Sequence, residues 1–452
     1  MSSYKLHVNN LPSEILQHIF SFRPQLENRK LLSLVCRRWN DLVFDFSYLG
    51  RIKLNCILDM ESVKKQQKIF RRYRNIRLRC ILNCNLDEAE TEKIVALFEK
   101  PSSSLEEFEY NEASHVSLVL RLLSICPYVK KLHLNSVRNI SNDNLPVLQN
   151  LEELVIPTMS RCDIIHIAPN LRKLETRGEL YDLPLAIQKL PLEQLKVNCT
   201  FVRDLDPDLF QKCSKVTKLK AIALFGECIS PKSFEHMCRI CPLLTKLRIS
   251  IPSKTKLQCL TSLSHLKHIS LLAVNYKLLA NSDVCLPSVE IVELTVASDW
   301  RFSQSIHQTF RNVHYLKIFL AMTESEKEFM DEIGETSDSF PHLKTFELYY
   351  LSRRENYSFA VKLFEGLSDL RELIMNNIRL QGSYFPPMNI QQLTLKECEL
   401  VVTDEMVNNL PNLQFLNLHS KLRLINAEKL PSSCTVRRYP RKNNDLFDRF
   451  RI

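Results

Sequence analysis

Glycine is scarce in this chain, and its scarcity excludes several active-site loops. Only 6 glycines occur among 452 residues, and they lie far apart. Phosphate-binding loops and the nucleophile elbow of hydrolases each need two or more closely spaced glycines. No His is followed by Glu, so the two-histidine zinc motif of metalloproteases is also absent. The sequence therefore contains no recognisable motif for direct catalysis.

Long apolar runs are also missing. No stretch approaches the roughly 18–20 apolar residues that a membrane helix needs, and the first ten residues, MSSYKLHVNN, contain no apolar leader. Hydrophobic residues make up 45% of the chain and charged residues 25%, as in a globular protein with a continuous core. The net charge of +10 is a mild excess of positive charge. It is compatible with acidic partners, and solubility alone could also explain it.

The 15 cysteines are odd in number and scattered, and many lie beside leucines. This usage is typical of a reducing compartment, and we expect the protein in the cytoplasm, the nucleus or both. Cys238 and Cys241 form one CxxC, and Cys80 and Cys84 a second close pair, but neither has another pair at zinc-finger distance. We expect buried packing, with no metal and no cofactor.

A kernel of the form LxxLxL recurs through most of the chain. Examples are PNLQFLNLHS at 411–420, PHLKTFELYY at 341–350 and CPLLTKLRIS at 241–250. Spacing between copies averages about 24 residues, within the 20–29 window of leucine-rich repeats. The first anchors of the copies are Leu105, Val129, Leu151, Leu171, Leu192, Val216, Leu244, Leu266, Val289, Val313, Leu343, Leu370, Ile390 and Leu413. Cys126, Cys213 and Cys241 lie shortly before an anchor, and we expect them to be buried.

The kernel predicts an α/β solenoid. The two leucines of LxL point to one side of a short strand, and only neighbouring parallel strands can cover them. We expect a curved array with a parallel β concave face and a helical convex side over residues 101–436. A linker and degenerate first repeats, around Ile52 and Ile76, would occupy 47–100, and a basic tail or cap 437–452.

The N-terminal stretch LPSEILQHIF carries an apolar stripe at helical spacing, with Pro12 near its start. A second apolar group at residues 31–35 precedes Cys36, two arginines and Trp39. A unit of about 40 residues rarely supports a core alone. Either the repeats or another protein must cover these side chains.

The string LP-x-E-I-L-x-x-I-F, followed by L-x-x-V-C-R-R-W, resembles the F-box motif over residues 6–46. An F-box followed by leucine-rich repeats is similar to the substrate receptors of SCF-type ubiquitin ligases. The resemblance implies a non-catalytic subunit that docks on a Skp-type adaptor and, through it, on a cullin and a RING protein. Its repeats would select the protein substrate.

The resemblance also implies an adaptor-binding set. Some members would face the adaptor, while others, including Trp39, would hold the helices together. The alternative is that the stripe packs only on the first repeats. The set consists of Leu11, Pro12, Ile15, Leu16, Ile19, Phe20, Leu31, Leu34, Val35, Cys36 and Trp39.

Residues that flank the inner leucines should line the concave face and bind substrate. The early strands present Glu107, Glu109 and Glu153 on this face, and a late strand presents Phe415. We expect a basic centre for an acidic or phosphorylated segment and aromatic anchors beyond it; an ordinary solvated face is the alternative. The candidate residues are Lys173, Arg177, Lys196, Lys218, Lys220, Lys246, Arg248, His268, Tyr315, Phe319 and Tyr349.

Two further charge runs leave other possibilities open. The basic stretch at 64–79 could contact nucleic acid, although an exposed linker face is the simpler interpretation. The acidic stretch at 323–339 suggests a helix on the outer side. A scaffold or inhibitor that binds a partner without ubiquitination is the alternative to the ligase receptor.

Overall fold

The structure is a computed structural model of the 452-residue chain, and it divides into two compact units, Met1–Asp204 (unit 1) and Leu205–Ile452 (unit 2). The residues that the structure describes are 8, 11–21, 31–43, 53–58, 74–80, 87–111, 116–134, 145–156, 163–176, 183–198, 206–214, 216, 218–225, 229–250, 255–274, 284–296, 308–320, 340, 342–350, 367, 369–376, 379–380, 385, 387–396, 399–419 and 424–439.

Unit 1 begins with helices and continues as alternating strands and helices. Its elements are α1 (Ser13–Ser21), α2 (Arg37–Val43), β1 (Lys53–Leu58), β2 (Asn75–Cys80), α3 (Glu88–Ser102), β3 (Glu107–Tyr110), α4 (Val116–Ser124), β4 (Lys131–Leu134), β5 (Glu153–Ile156), α5 (Ile164–Ile167), β6 (Lys173–Thr176), α6 (Leu183–Lys189) and β7 (Gln194–Asn198).

Unit 2 continues the alternation, with 3₁₀ turns at several helix positions. Its elements are η1 (Leu209–Lys212), β8 (Ala221–Phe225), α7 (Pro231–Ile240), β9 (Lys246–Ser250), η2 (Leu257–Ser262), β10 (His268–Val274), β11 (Ile291–Val296), β12 (Tyr315–Leu320), β13 (Thr345–Tyr350), β14 (Glu372–Asn376), β15 (Arg379–Leu380), β16 (Gln392–Lys396), β17 (Glu399–Val401), α8 (Asp404–Asn409), β18 (Phe415–His419), β19 (Leu424–Ile425), η3 (Ala427–Lys429) and β20 (Thr435–Tyr439).

The strands pair in parallel and in chain order within each unit. In the described part of unit 1, β1 to β7 follow one another. In unit 2 the order is β8 to β14, then β16, β18 and β20, while β15, β17 and β19 form a small separate sheet. Each parallel pair needs a crossover, which the helices and turns supply. The chain therefore has the predicted α/β leucine-rich-repeat fold.

The repeated leucines stack into one core layer. Leu132, Leu154 and Leu174 stand in register on β4, β5 and β6, and all three are buried. From the other side of the core, Leu118 and Leu122 of α4 are buried as well. Each such side chain contributes about 1.5–3 kcal/mol of burial energy. Side chains on the opposite face of the strands form what we call the outward face.

Asparagine side chains join successive turns of the solenoid. Asn150 Nδ2 donates to the carbonyl of Pro127 at 3.0 Å, and Asn170 Nδ2 donates to that of Gln149 at 2.8 Å. Asn312 makes the equivalent bond in unit 2. Each bond satisfies a carbonyl in the turn that precedes a strand. The asparagine that precedes the first anchor in these repeats thus has a structural role of its own.

The register at β8 differs from the predicted one. The kernel spacing places the anchor of this repeat at Val216. In the structure, Ala221 pairs with Lys246 of β9, which aligns Leu219 with the anchor Leu244. The strand therefore begins three residues later than predicted.

This register corrects two predicted outward residues. Lys218 and Lys220 are exposed but lie before β8, so their predicted place on the strand is wrong. The stretch VTKLKAIALF contains two overlapping kernels, and the later one buries Ile222 and Leu224 rather than an alanine. Ala221 and Ala223 take the outward positions instead.

Some sequence expectations lie at or beyond the edges of the described residues. The degenerate repeats near Ile52 and Ile76 correspond to β1 and β2, and β20 runs past the expected repeat end at residue 436. The acidic stretch 323–339, the basic stretch 64–73, Arg177 and the tail 440–452 fall outside the described residues. Among the described helices, none combines the length and apolar character needed to cross a bilayer.

Candidate functional site

The N-terminal helices begin where the sequence favours helix entry. The carbonyl of Pro12 accepts from the Leu16 N–H at 3.1 Å, which closes the first turn of α1. Glu14 lies in that turn, where a negative charge interacts favourably with the helix dipole. Helix α2 follows the second apolar group. The first apolar group therefore lies on α1, and the second, at residues 31–35, lies just before α2.

A small core holds these helices together. Leu16 and Phe20 of α1 and Val43 of α2 are fully buried against one another. The ring of Trp39 packs on that of Phe20, with centroids 4.9 Å apart and an interplanar angle of 60°. Leu11, Leu32 and Leu42 pack around this cluster. Trp39 therefore holds the helices together, as expected.

A polar contact fixes the start of α1 against α2. Arg38 Nη2 donates to the carbonyl of Leu11 at 2.8 Å and to Ser13 Oγ at 3.2 Å. The contact joins residues 27 and 25 positions apart in the chain. Arg38, the second arginine of the CRRW string, thus links α2 to the start of α1.

The other half of the apolar set is exposed. Leu34 is 80% exposed and Leu31 is 67% exposed. Ile15, Ile19 and Val35 are exposed as well, and together these five residues form what we call the F-box apolar face. Exposed large apolar side chains within one short segment are typical of interaction sites.

The predicted adaptor-binding set is thereby divided by burial. Leu16, Phe20 and Trp39 form the module's own packing, with Leu11 beside them. Cys36 is half-buried, while Pro12 is exposed. Only the five residues of the F-box apolar face offer a large apolar surface. Sequence spacing alone could not make this division.

On the outward face of unit 1, most charges are paired. Lys53 Nζ contacts Glu107 and Glu109 at 2.5 and 2.7 Å, and Arg77 Nε contacts Glu109 at 2.9 Å. Burial opposes the charged form of Glu109, but these cations lower the pKa of its carboxyl group. The acidic start predicted for this face is therefore largely neutralised.

The predicted cations further along unit 1 are also paired. Lys196 Nζ lies 2.9 Å from a Glu175 oxygen, and Lys173 Nζ lies 3.8 Å from Glu153. Glu153 also accepts from His133 at 3.2 Å, and this bond lowers the pKa of its carboxyl group. A uniformly basic centre is therefore absent from the described strands of this unit.

Unit 2 carries a row of charged residues at the middle position of successive strands. Arg248, Glu293, Lys317 and Glu347 occupy this position on β9, β11, β12 and β13, with Ser270 on β10 between the first two. Lys317 Nζ lies 3.5 Å from Glu347 Oε2, and both side chains are almost buried. Glu293, Lys317 and Glu347 were missed in the sequence, although the alternation of LxL places them here.

The predicted aromatic residues surround this row. The rings of Phe319 and Tyr349 pack together with their centroids 5.0 Å apart and an interplanar angle of 31°, and Lys317 Nζ lies 4.8 and 5.0 Å from these centroids. Both rings are buried, so they support the lysine rather than project into solvent. Burial and the neighbouring Glu347 raise the pKa of Tyr315, which keeps its phenol protonated.

His268 and Glu293 form the remaining contact of this group. His268 Nε2 lies 3.7 Å from Glu293 Oε1, and both side chains are 18% exposed. Burial opposes the charge on Glu293, but His268 and the cations Lys317 and Arg248 outweigh it. The pKa of Glu293 is lowered to about 2. The carboxylate is therefore charged at neutral pH.

This pKa predicts a pH-dependent stability. A lowered pKa stabilises the folded state above the unfolded-state pKa, and the contribution is lost as pH falls from about 5 to about 2. It amounts to about 3 kcal/mol. In urea unfolding, Glu293→Gln should reduce the stability at pH 7 and flatten its pH dependence below pH 5. The half-exposed Glu290→Gln is the control; equal slopes for wild type and Glu293→Gln would contradict the prediction.

The repeat cysteines are core residues. Cys126, Cys213 and Cys241 are buried, as predicted. Burial raises the pKa of these thiols to about 12, 11 and 12, respectively. Protonated, enclosed thiols are poor nucleophiles. Cys213 precedes its strand by three residues more than the other two, because of the shifted register at β8.

Comparison with known proteins identifies the N-terminal module. Residues 8–51 match the family model described as F-box-like. The chain thus carries an F-box-like segment, which leucine-rich repeats follow. No curated protein matches the chain in sequence. Both modules belong to classes that mediate protein interactions.

Three solved structures show a low likeness to the chain. A leucine-rich-repeat protein of Leptospira interrogans is 17% identical, with a TM-score of 0.38, over 88% of this chain and 92% of its own. A chain of the Drosophila Toll–Spatzle complex is 12% identical, with a TM-score of 0.40, over 82% of this chain and 50% of its own. An internalin of Listeria monocytogenes is 12% identical, with a TM-score of 0.34, over 70% of this chain and 91% of its own. The repeat assignment rests instead on the kernel and the strand register of this chain.

Proposed function

We propose that this protein is the substrate receptor of an SCF-type ubiquitin ligase. Its F-box-like segment would bind a Skp-type adaptor, and the adaptor would connect it to a cullin and a RING protein. The repeats would hold the substrate protein. A separate ubiquitin-conjugating enzyme would form the new bond, so the chain itself would contribute no catalytic group.

One observation carries this proposal: the F-box-like segment leaves the F-box apolar face uncovered while it buries a separate core of its own. Leu31 and Leu34 are far more exposed than typical leucines, whereas Leu16 and Phe20 are enclosed. If the stripe served only to pack on the repeats, its members would be covered within the chain. The exposed group therefore favours docking on another protein.

The repeats support the second half of the proposal. Along the described strands, the outward face of each unit displays ion pairs and polar groups at many successive positions. Lys317 with Glu347 in unit 2 and Lys196 with Glu175 in unit 1 are examples. Such a face suits a protein partner, whose charged and polar groups can match it at many points.

Reconstitution tests the proposal. The full chain is mixed with a Skp-type adaptor, a cullin and a RING protein, and the assembly is analysed by size-exclusion chromatography with light scattering. We expect one complex that contains all four proteins in equal amounts. Recovery of the chain without adaptor and cullin would contradict the proposal and would favour the scaffold or inhibitor function.

A further inference from the structure

Arg248 of β9 is the most enclosed cation without an ion pair on the described outward face. The residue is 7% exposed, and its Nε has no hydrogen-bond partner among the described residues. Its guanidinium carbon lies 4.8 Å from the centroid of the Phe225 ring. Burial lowers the pKa of this group below its usual range. An enclosed, unpaired cation is costly, and an anion would compensate it.

The positions on both sides of Arg248 carry small side chains. Ala223 of β8 and Ser270 of β10 are its register partners, and Ala221 pairs with Lys246 in the next row. The corresponding positions from β11 to β13 carry Glu, Lys and Glu. Within the described row, Arg248 is therefore the charged residue whose register partners on both sides have small, uncharged side chains.

A β-bulge lies further along the neighbouring strand. Between Leu271 and Val274 of β10, the register with β11 shifts, so that two residues of β10 stand against one of β11. Bulges are common next to binding sites, where they redirect side chains. This bulge begins two residues beyond Ser270, which is the register partner of Arg248 on β10.

The local charges favour a single negative charge. Lys246, Arg248 and Lys317 are the cations of this region, and Glu293 and Glu347 are its carboxylates. If His268 is left out, these five residues carry a net charge of +1. A dianionic phosphate would exceed this charge, and Glu293 would repel it more strongly than it would repel a single carboxylate.

We propose that Arg248 is the anchor for an aspartate or glutamate side chain on an extended segment of the partner protein. Guanidinium and carboxylate form charge-assisted, two-bonded pairs. Ala221, Ala223 and Ser270 give the carboxylate room, and the Phe225 ring holds the guanidinium in place. This inference rests on the proposed function, because it names the substrate feature that the repeats would recognise.

Peptide selection tests the proposal. A displayed library of random dodecapeptides is selected on the full-length wild-type chain and, separately, on Arg248→Gln. We expect Asp or Glu to be enriched at one position with the wild type and not with Arg248→Gln. Recovery of no binder, no acidic enrichment, or equal enrichment on both proteins would overturn the proposal.

Synthetic versions of the best peptide then identify the anion. Replacing its Asp or Glu by Asn or Gln should weaken binding to the wild type about tenfold or more. The same replacement should have little effect on binding to Arg248→Gln. Arg371→Gln, an exposed arginine just before β14, is the matched control and should bind as the wild type does. Tighter binding of a phosphoserine version would assign the site to phosphate and overturn the carboxylate assignment.

Adaptor titration and thermal unfolding of the same preparations separate the possible failures. Arg248→Gln should unfold at a temperature close to that of the wild type and should bind the adaptor normally. Failure of the wild type to bind the adaptor would count against the ligase role alone. Normal adaptor binding without an acidic preference would count against the Arg248 site alone.

Discussion

Leu34→Asp should weaken the binding of a Skp-type adaptor by about 100-fold or more. The substitution removes about 1.5–3 kcal/mol of apolar burial and places an unpaired carboxylate in the interface. Since Leu34 is exposed in the chain alone, the unfolding temperature should not change. Isothermal titration with the purified adaptor measures the affinity, and differential scanning calorimetry checks stability.

The matched control for this prediction is Leu243→Asp. Leu243 lies in the turn before β9 and is 44% exposed, so the same chemical change is made at an exposed leucine far from the F-box-like segment in the chain. We expect its adaptor affinity to equal that of the wild type. Equal affinity of Leu34→Asp and Leu243→Asp would show that the F-box apolar face does not bind the adaptor.

Phe20→Ala should abolish adaptor binding because it destabilises the F-box-like segment, not because it removes a contact with the adaptor. Phe20 is enclosed by Leu16, Val43 and the Trp39 ring, and its truncation should cost about 3–5 kcal/mol. A segment of this size has little stability to spare. Amide hydrogen exchange over α1 and α2 should accelerate by about 100-fold or more.

Ile19→Ala provides the comparison on the same helix. Ile19 precedes Phe20 but is exposed, so its truncation should leave amide exchange in α1 and α2 unchanged and lower the adaptor affinity only moderately. If Phe20→Ala kept wild-type exchange rates, the assignment of Phe20 to the module core would be wrong. The pair thus separates loss of folding from loss of contact.

The LxxLxL kernel predicted the architecture well because burial of its leucines leaves each strand little choice of register. Prediction failed where two kernels overlap, at Val216 and Leu219, since either frame offers apolar residues. The later frame buries Ile222 and Leu224, whereas the earlier one would have buried Ala221. Lys218 and Lys220 were misplaced for this reason.

The candidate sites were harder to predict because they depend on neighbours that are distant in the chain. Ile15 and Leu16 look alike in the sequence, but only Leu16 faces the second helix. Likewise, Lys317 and Glu347 become neighbours only through the pairing of β12 with β13. Several cations of the basic patch inferred from single strands, such as Lys173 and Lys196, therefore form ion pairs, whereas Arg248 is enclosed without one.

Hydroxyl-radical footprinting of the chain with and without the adaptor tests most directly whether the F-box-like segment is the docking module. Oxidation of Leu31, Leu34 and Val35 should fall sharply in the complex, while that of Leu185 and Leu243, exposed in the repeats, should stay constant. Unchanged oxidation of the three F-box residues, or protection confined to the repeats, would contradict this assignment.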